Sequence, residues 1–97
     1  MKFVFWDKAL KQMYETGEGP YPPSAIQGFF KCMGVIKYAV DEREFYKKKS
    51  LHYEKLEGSR KGERSMKLND GWRLILEMKN DETCKMVLVK EVTNHYD

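Results

Sequence analysis

LHYEKLEGSRKGERSMKLNDGWRLIL, residues Leu51 to Leu76, decides how this chain is read. A basic loop feeds an apolar-alternating run, a turn, and a second run that opens with Trp72-Arg73. Asn69-Asp70-Gly71 between two such runs predicts a tight hairpin, because Asn and Gly tolerate the positive φ that many hairpin turns need. Arg73 then leaves the turn beside the basic strand before it. An arginine held on a rigid sheet among other cations suits a phosphate, and so points toward RNA.

Alternation sorts the side chains of these strands by face. Met66 and Leu68 oppose Ser65 and Lys67. Trp72, Leu74, Leu76 and Met78 share one face, and Arg73, Ile75, Glu77 and Lys79 share the other. The apolar sets should meet helices, which places Arg73 and Lys67 together on an open face. His95 has the parity of Val87, Val89 and Glu91, so pattern does not assign its face.

Net charge is +3, but it is concentrated. From Arg43 to Lys67 there are nine Lys/Arg and four Glu, an excess of +5. A charge run is usually a solvated loop. Clustered Lys/Arg also supply sequence-independent affinity for phosphate backbones.

Working back toward the N-terminus, Lys2 to Phe5 reads as a short strand. Trp6 to Thr16 reads as a helix with Leu10, Met13 and Tyr14 on one side, Asp7 as its N-cap and Gly17 as its stop. Glu18 to Pro23 cannot continue a helix. Ser24 is expected to cap a second helix whose core stripe is Ile26, Phe29, Phe30, Met33, Ile36 (or Lys37) and Val40. Asp41 to Lys49 reads as a partial helical turn before a loop. Strands follow at Glu63 to Leu68, Trp72 to Lys79 and Cys84 to Thr93, the last two joined by a turn over Asn80 to Thr83. The expectation is one α+β domain over residues 1–97, with two N-terminal helices on one face of a small antiparallel sheet.

Ninety-seven residues make one small domain. No apolar run is long enough to span a membrane, and the N-terminus lacks a signal-peptide pattern, so a soluble, cytoplasmic protein is expected. Cys32 and Cys84 read most simply as buried free thiols. They lack the close spacing of a structural zinc site.

Several segments resemble the RelE-superfamily toxins of type II toxin–antitoxin systems, above all the HigB (plasmid-maintenance killer) branch. Leu10-Lys11-Gln12-Met13-Tyr14-Glu15-Thr16-Gly17 resembles the end of that branch's first helix. Leu56-Glu57-Gly58-Ser59-Arg60-Lys61-Gly62, followed by Ser65-Met66-Lys67-Leu68-Asn69, resembles its L-x-G-x-R-x-G and S-I-x-V-N run. Trp72-Arg73-Leu74 resembles its aromatic-R-L, and His95-Tyr96 a variant of its terminal Asp-Tyr-His. Two departures stand out. Histidine precedes tyrosine in Asn94-His95-Tyr96-Asp97, and Glu57 stands where the branch often has lysine.

The resemblance implies a RelE-like fold and a ribosome-dependent mRNA endoribonuclease that needs neither metal nor cofactor. It also implies a cognate antitoxin, often a helix-turn-helix protein of HigA type. Cleavage by the RNA's own 2′-OH needs a base, an acid and cations for the phosphorane-like charge. The candidate catalytic set is Arg73 as phosphate clamp, His95 and His52 as acid or base, Tyr96 to stack or donate a proton, and Lys55 in place of the missing lysine. Imidazole suits either proton-transfer role, because it titrates near neutral pH. Arg60, Lys61, Arg64 and Lys67 are the candidate RNA-binding cations. Two other readings stand beside this one: a non-enzymatic toxin of the same fold, like the ParE relatives that poison DNA gyrase, and a degenerate toxin that only binds antitoxin. Each residue also has a plain reading. The C-terminal end can simply fray, His52 can be an idle loop histidine, and Arg73 can pair with Glu77 or Glu91 across the sheet.

Overall fold

The computed structural model describes residues 1–80 and 85–95. Strand β1 (Lys2–Phe5) is followed by helices α1 (Lys8–Thr16), α2 (Pro23–Tyr38) and α3 (Arg43–Lys47), then by β2 (Glu54–Lys55), β3 (Glu63–Lys67), β4 (Arg73–Asn80) and β5 (Lys85–Thr93). The strands form one sheet in the order β1-β5-β4-β3-β2. The expected β3-β4-β5 meander is antiparallel. The sheet as a whole is mixed, because β1 runs parallel to β5, pairing Phe3 with Val87 and Phe5 with Val89. A parallel partner more than 80 residues away leaves no local signal in a sequence.

The hairpin between β3 and β4 forms where expected but by different chemistry. Neither Asn69 nor Gly71 has positive φ. Instead the Asn69 side-chain oxygen accepts from the Gly71 and Trp72 amides at 2.9 and 2.8 Å. This is an Asx turn, in which a side chain imitates the backbone. Leu68 N–H donates to the Trp72 carbonyl and closes the strands. The resulting register sets Lys67 opposite Arg73 and Ser65 opposite Ile75.

Helix α1 has the expected ends. The Asp7 carboxylate accepts from the Leu10 amide, and Gly17 at φ 79° donates to Met13 O. It starts at Lys8 rather than Trp6, because the Trp6 amide still extends the β1 ladder by donating to Val89 O. Helix α2 is capped differently from expectation. Pro22 precedes Pro23 at the first turn without a side-chain cap, and Ser24 Oγ instead accepts from Asn69 Nδ2 at 2.8 Å.

The buried stripe of α2 is Ala25, Gly28, Phe29, Cys32, Met33 and Ile36, rotated from the expected one. Phe30 is half exposed and Val40 is 81% exposed. The rotation follows from Gly28. A Cβ there would sit 2.1 Å from Leu68 O, so α2 lies against the backbone of the hairpin. Small residues must face that contact, which turns the bulkier Phe30 outward. The helix ends at Tyr38, and Ala39 is already extended, so Val40 never joins the stripe.

One hydrophobic cluster joins Leu10 and Met13 of α1, Phe29, Met33 and Ile36 of α2, and Phe45 of α3 to Met66, Leu74, Leu76, Val87, Val89 and Val92 of the sheet. Phe3, Phe5, Tyr14 and Phe29 add edge and tilted ring contacts at its β1 end. Cys32 is a buried free thiol in this cluster, donating to Lys67 O. Burial pushes its pKa up to about 12, against smaller opposing effects of Lys31 and Arg73. Cys84 and residues 81–83 of the expected turn lie outside the described residues.

Two outcomes follow from these contacts. Gly28→Ala should destabilise the protein by ~2–3 kcal/mol through overpacking, although alanine is the better helix former. Gly34→Ala, with nothing within 4 Å of the added carbon, should stabilise it by up to ~1 kcal/mol. Urea melts of both variants decide this, and equal effects would refute the close approach at Gly28. The Cys32 thiol should resist iodoacetamide at pH 8 in native protein and react once the chain is unfolded in guanidinium. Peptide mapping that found Cys32 rapidly labelled in native protein would contradict its burial.

Candidate functional site

Tyr53 explains how a two-residue strand acquires a defined face. Its ring is buried against Phe45 at 5.2 Å, and its hydroxyl donates to Glu42 Oε2 at 2.6 Å. Burial first, then the Glu42 carboxylate, raises the phenol's pKa. With Tyr53 anchored in the core, alternation sends Glu54 to the opposite side of the sheet. The β2–β3 register agrees, pairing Glu54 with Ser65 and Lys55 with Arg64.

Arg73 shares the face of Glu54, away from the hydrophobic cluster, and the register brings Lys67 beside it as expected. The face is less open than the sequence implied. Arg73 is only 8% exposed. Its Nε and Nη2 donate to Ser65 Oγ at 3.1 and 2.8 Å, and Nη2 also donates to the His52 carbonyl. Glu54 Oε1 lies 3.5 Å from Nη2. Among the described residues Arg73 has Glu54 as an ion-pair partner, while Glu77 and Glu91 pair with Lys90 and Arg60. The hydroxyl and carbonyl fix the plane of the guanidinium, which is what precise anion recognition requires.

The other candidates divide between the two sides. Thr93 is paired with Arg73, and exposed His95 follows it just past the end of β5. Arg60 Nη2 donates to the His95 carbonyl. His52 is exposed, in a left-handed conformation at φ 46°, with its carbonyl turned to Arg73. Lys67 and the His52 carbonyl thus meet Arg73, while Arg60 meets the His95 carbonyl and, on Glu63, the start of β3. Lys55 and Arg64 lie apart, because they share the face of the core. Arg64 Nε donates to Glu42 at 3.0 Å and Nη1 to Gly62 O. Lys61 is exposed in the loop before β3. Tyr96 lies outside the described residues.

Carboxylates also run across the Arg73 face. Arg60 bridges Glu63 and Glu91 at 2.9 and 2.8 Å, and Lys90 bridges Glu63 and Glu77 at 2.6 and 3.2 Å. Burial disfavours the charge on Glu63, but hydrogen bonds from Lys90 and Arg60 outweigh it and hold its pKa below the ordinary range. Lys67 pairs with Asp70 at 3.2 Å. Most cations expected to greet RNA here are already matched. Among the described residues, no group of three His, Cys, Asp or Glu is placed to hold a metal ion.

Sequence reasoning missed Glu54. The run His52-Tyr53-Glu54-Lys55 drew attention to its histidine and lysine. The usable signal was parity: an aromatic at 53 and a carboxylate at 54 belong on opposite sides of any strand. A two-residue strand is too short for that parity to be noticed by period alone.

Comparison with known proteins gives a consistent result. A family model described as a RelE-like toxin of the type II toxin–antitoxin system HigB matches residues 3–90. No curated protein matches by sequence. Among solved structures, a YoeB/ParE toxin from Agrobacterium tumefaciens is similar over 99% of this chain and 100% of its own, with TM-score 0.62 and 13% identity. YafQ from E. coli strain BL21(DE3) covers 94% of this chain and 89% of its own, with TM-score 0.59 and 13% identity. A YoeB-YefM complex from Staphylococcus aureus covers 99% and 98%, with TM-score 0.61 and 14% identity. At such identities these likenesses speak for the fold, and the family model speaks for descent. The chain belongs to the HigB-like family of RelE-like toxins of type II toxin–antitoxin systems.

Proposed function

We propose that this toxin is a ribosome-dependent, metal-independent endoribonuclease that cuts messenger RNA in the cytoplasm, stops translation and is neutralised by a cognate antitoxin. The observation that carries the proposal is Glu54 and Arg73 side by side on one sheet face, with the guanidinium held in place by Ser65 and the His52 carbonyl. In this reading Glu54 takes the proton from a ribose 2′-OH as its oxygen attacks the adjacent phosphorus. Arg73 bears the charge that builds on the non-bridging oxygens. The bond to the 5′ oxygen breaks as that oxygen receives a proton from His95, which is exposed just past the end of β5. His52 is the second proton-transfer candidate, and Tyr96 the stacking one. Arg60, Lys61 and Lys67 hold neighbouring phosphates. Lys55 and Arg64, on the other side, act away from the scissile bond.

The family description names a toxin–antitoxin system, and one fold relative is a YoeB-YefM complex. Both support a cognate antitoxin, of HigA-like helix-turn-helix type in this proposal. A second reading, a non-enzymatic toxin acting on DNA gyrase, is favoured by one observation: Arg60 and Lys90 are engaged by Glu63, Glu77 and Glu91, which lowers the positive potential over the face.

Induction of the chain in a bacterial host, with 5′ ends mapped on translated and untranslated versions of one transcript, separates these readings. Cuts should appear only in the translated transcript. Growth arrest with intact messages would move the assignment to gyrase. Arg73→Ala should slow cutting ~10²–10³-fold, as loss of a transition-state donor does. Arg73→Lys should not restore it, because an ammonium lacks the planar fork. Glu54→Gln should slow cutting at least ~10²-fold, as loss of a general base does. Because Glu54 is exposed at the sheet edge, its variant should keep the wild-type melting temperature. Full cutting by folded Glu54→Gln would remove Glu54 from the mechanism.

A further inference from the structure

We infer that the groove between α2 and α3 is a second RNA-contact site, one that grips a single-stranded phosphate backbone away from the scissile bond. The assignment rests on the RNA-directed reading above. Lys31, Gly34, Val35 and Tyr38 follow one another at helical spacing along the outer side of α2, and with Ala39, Glu44 and Lys48 they line a shallow, open groove of about 430 Å³. Gly34 leaves the middle of that stripe open, since nothing lies within 4 Å of its missing Cβ. Lys31 stands on one wall and Lys48 on the other.

The electrostatics differ from those of the Arg73 face. Between Lys31 and Lys49 the chain carries six cations and three carboxylates. Two of the carboxylates are already occupied. Asp41 is held by Arg43, which lowers its pKa to about 2, and Glu42 takes Arg64 and the Tyr53 hydroxyl. Among the described residues, Lys31, Lys37, Lys47, Lys48 and Lys49 make no ion pair. Five lysines without an ion pair among the described residues therefore cluster between Lys31 and Lys49, and among the groove's lining residues Glu44 alone opposes Lys31 and Lys48.

Tyr38 supplies the second half of the chemistry. It is 79% exposed on the groove rim, and Lys37 Nζ sits 5.4 Å from its ring centroid. An exposed aromatic beside ammonium groups is a stacking platform for an unpaired base whose phosphates the lysines hold. Helix α2 lies on the core side of the sheet, opposite Arg73. One nucleotide cannot fill both sites, so the groove holds the single strand of message that flanks the cut while the scissile bond lies on the other face.

The test is fluorescence anisotropy of the whole toxin with a labelled 12-nucleotide single-stranded RNA over a range of salt. Lys31→Glu/Lys48→Glu should weaken binding at least tenfold and lower the slope of log affinity against log salt by about 1.4, the loss of two single-strand phosphate contacts. Tyr38→Ala should weaken it about tenfold with the slope unchanged. All three side chains are on the surface, so the variants should fold and still co-purify with the antitoxin. Unchanged RNA affinity and slope in the double variant would overturn the site. So would loss of antitoxin capture with RNA binding intact, which would make the groove a protein interface. Groove-dependent RNA binding by a toxin that leaves messages uncut would uphold the site and defeat the nuclease reading instead.

Discussion

The Asn69 side chain is the joint on which the arrangement depends. Its oxygen accepts two backbone amides and so builds the turn, while its nitrogen donates to Ser24 at the start of α2. One amide group thereby fixes the β3–β4 register and seats a helix on the same hairpin. The register carries Lys67 to Arg73. The seating brings Gly28 onto the Leu68 backbone, which decides which side of α2 faces the core. Burial of apolar surface supplies most of the driving force for such a domain, but burial is not directional. The hydrogen bonds of Asn69 help select this packing among others of similar area.

The sheet then separates two kinds of electrostatics. On the Arg73 face, cations and carboxylates alternate and neutralise one another, and an anchored guanidinium lies beside Glu54. That suits chemistry, where a fixed charge must act over a short distance. On the helix side, lysines outnumber their carboxylates and stay solvated. That suits association, where long-range attraction matters more than fixed geometry. The excess of charge noticed between Arg43 and Lys67 is thus not one surface, because strand parity and the fold divide it between two.

Much of this was legible in the sequence where the signal is local. The caps of α1, the hairpin and the opposition of Lys67 to Arg73 each follow from a few adjacent residues. Other features depended on distant partners. The parallel pairing of β1 with β5 links the two ends of the chain. The near-burial of Arg73 draws on partners distant in sequence, among them the His52 carbonyl that becomes its acceptor and Glu54 beside it. The α2 stripe was misread because hydrophobicity alone favours Phe30 over Gly28 and Cys32, whereas a close backbone approach selects for smallness. The same preference for conspicuous side chains passed over Glu54 in favour of Lys55.

Strand β2 has a further consequence. With only two residues in the ladder, its register works like a reading frame. Tyr53 sets the frame by entering the core, and Glu54 is then read out beside Arg73. With Tyr53 still in the core, the loss of one position after it would bring Lys55 there, replacing the carboxylate beside the guanidinium with a second cation. A single-residue deletion just after Tyr53 therefore acts on this protein as a frameshift of charge. It would invert the charge beside Arg73 while leaving Arg73, Ser65 and His52 in the sequence untouched.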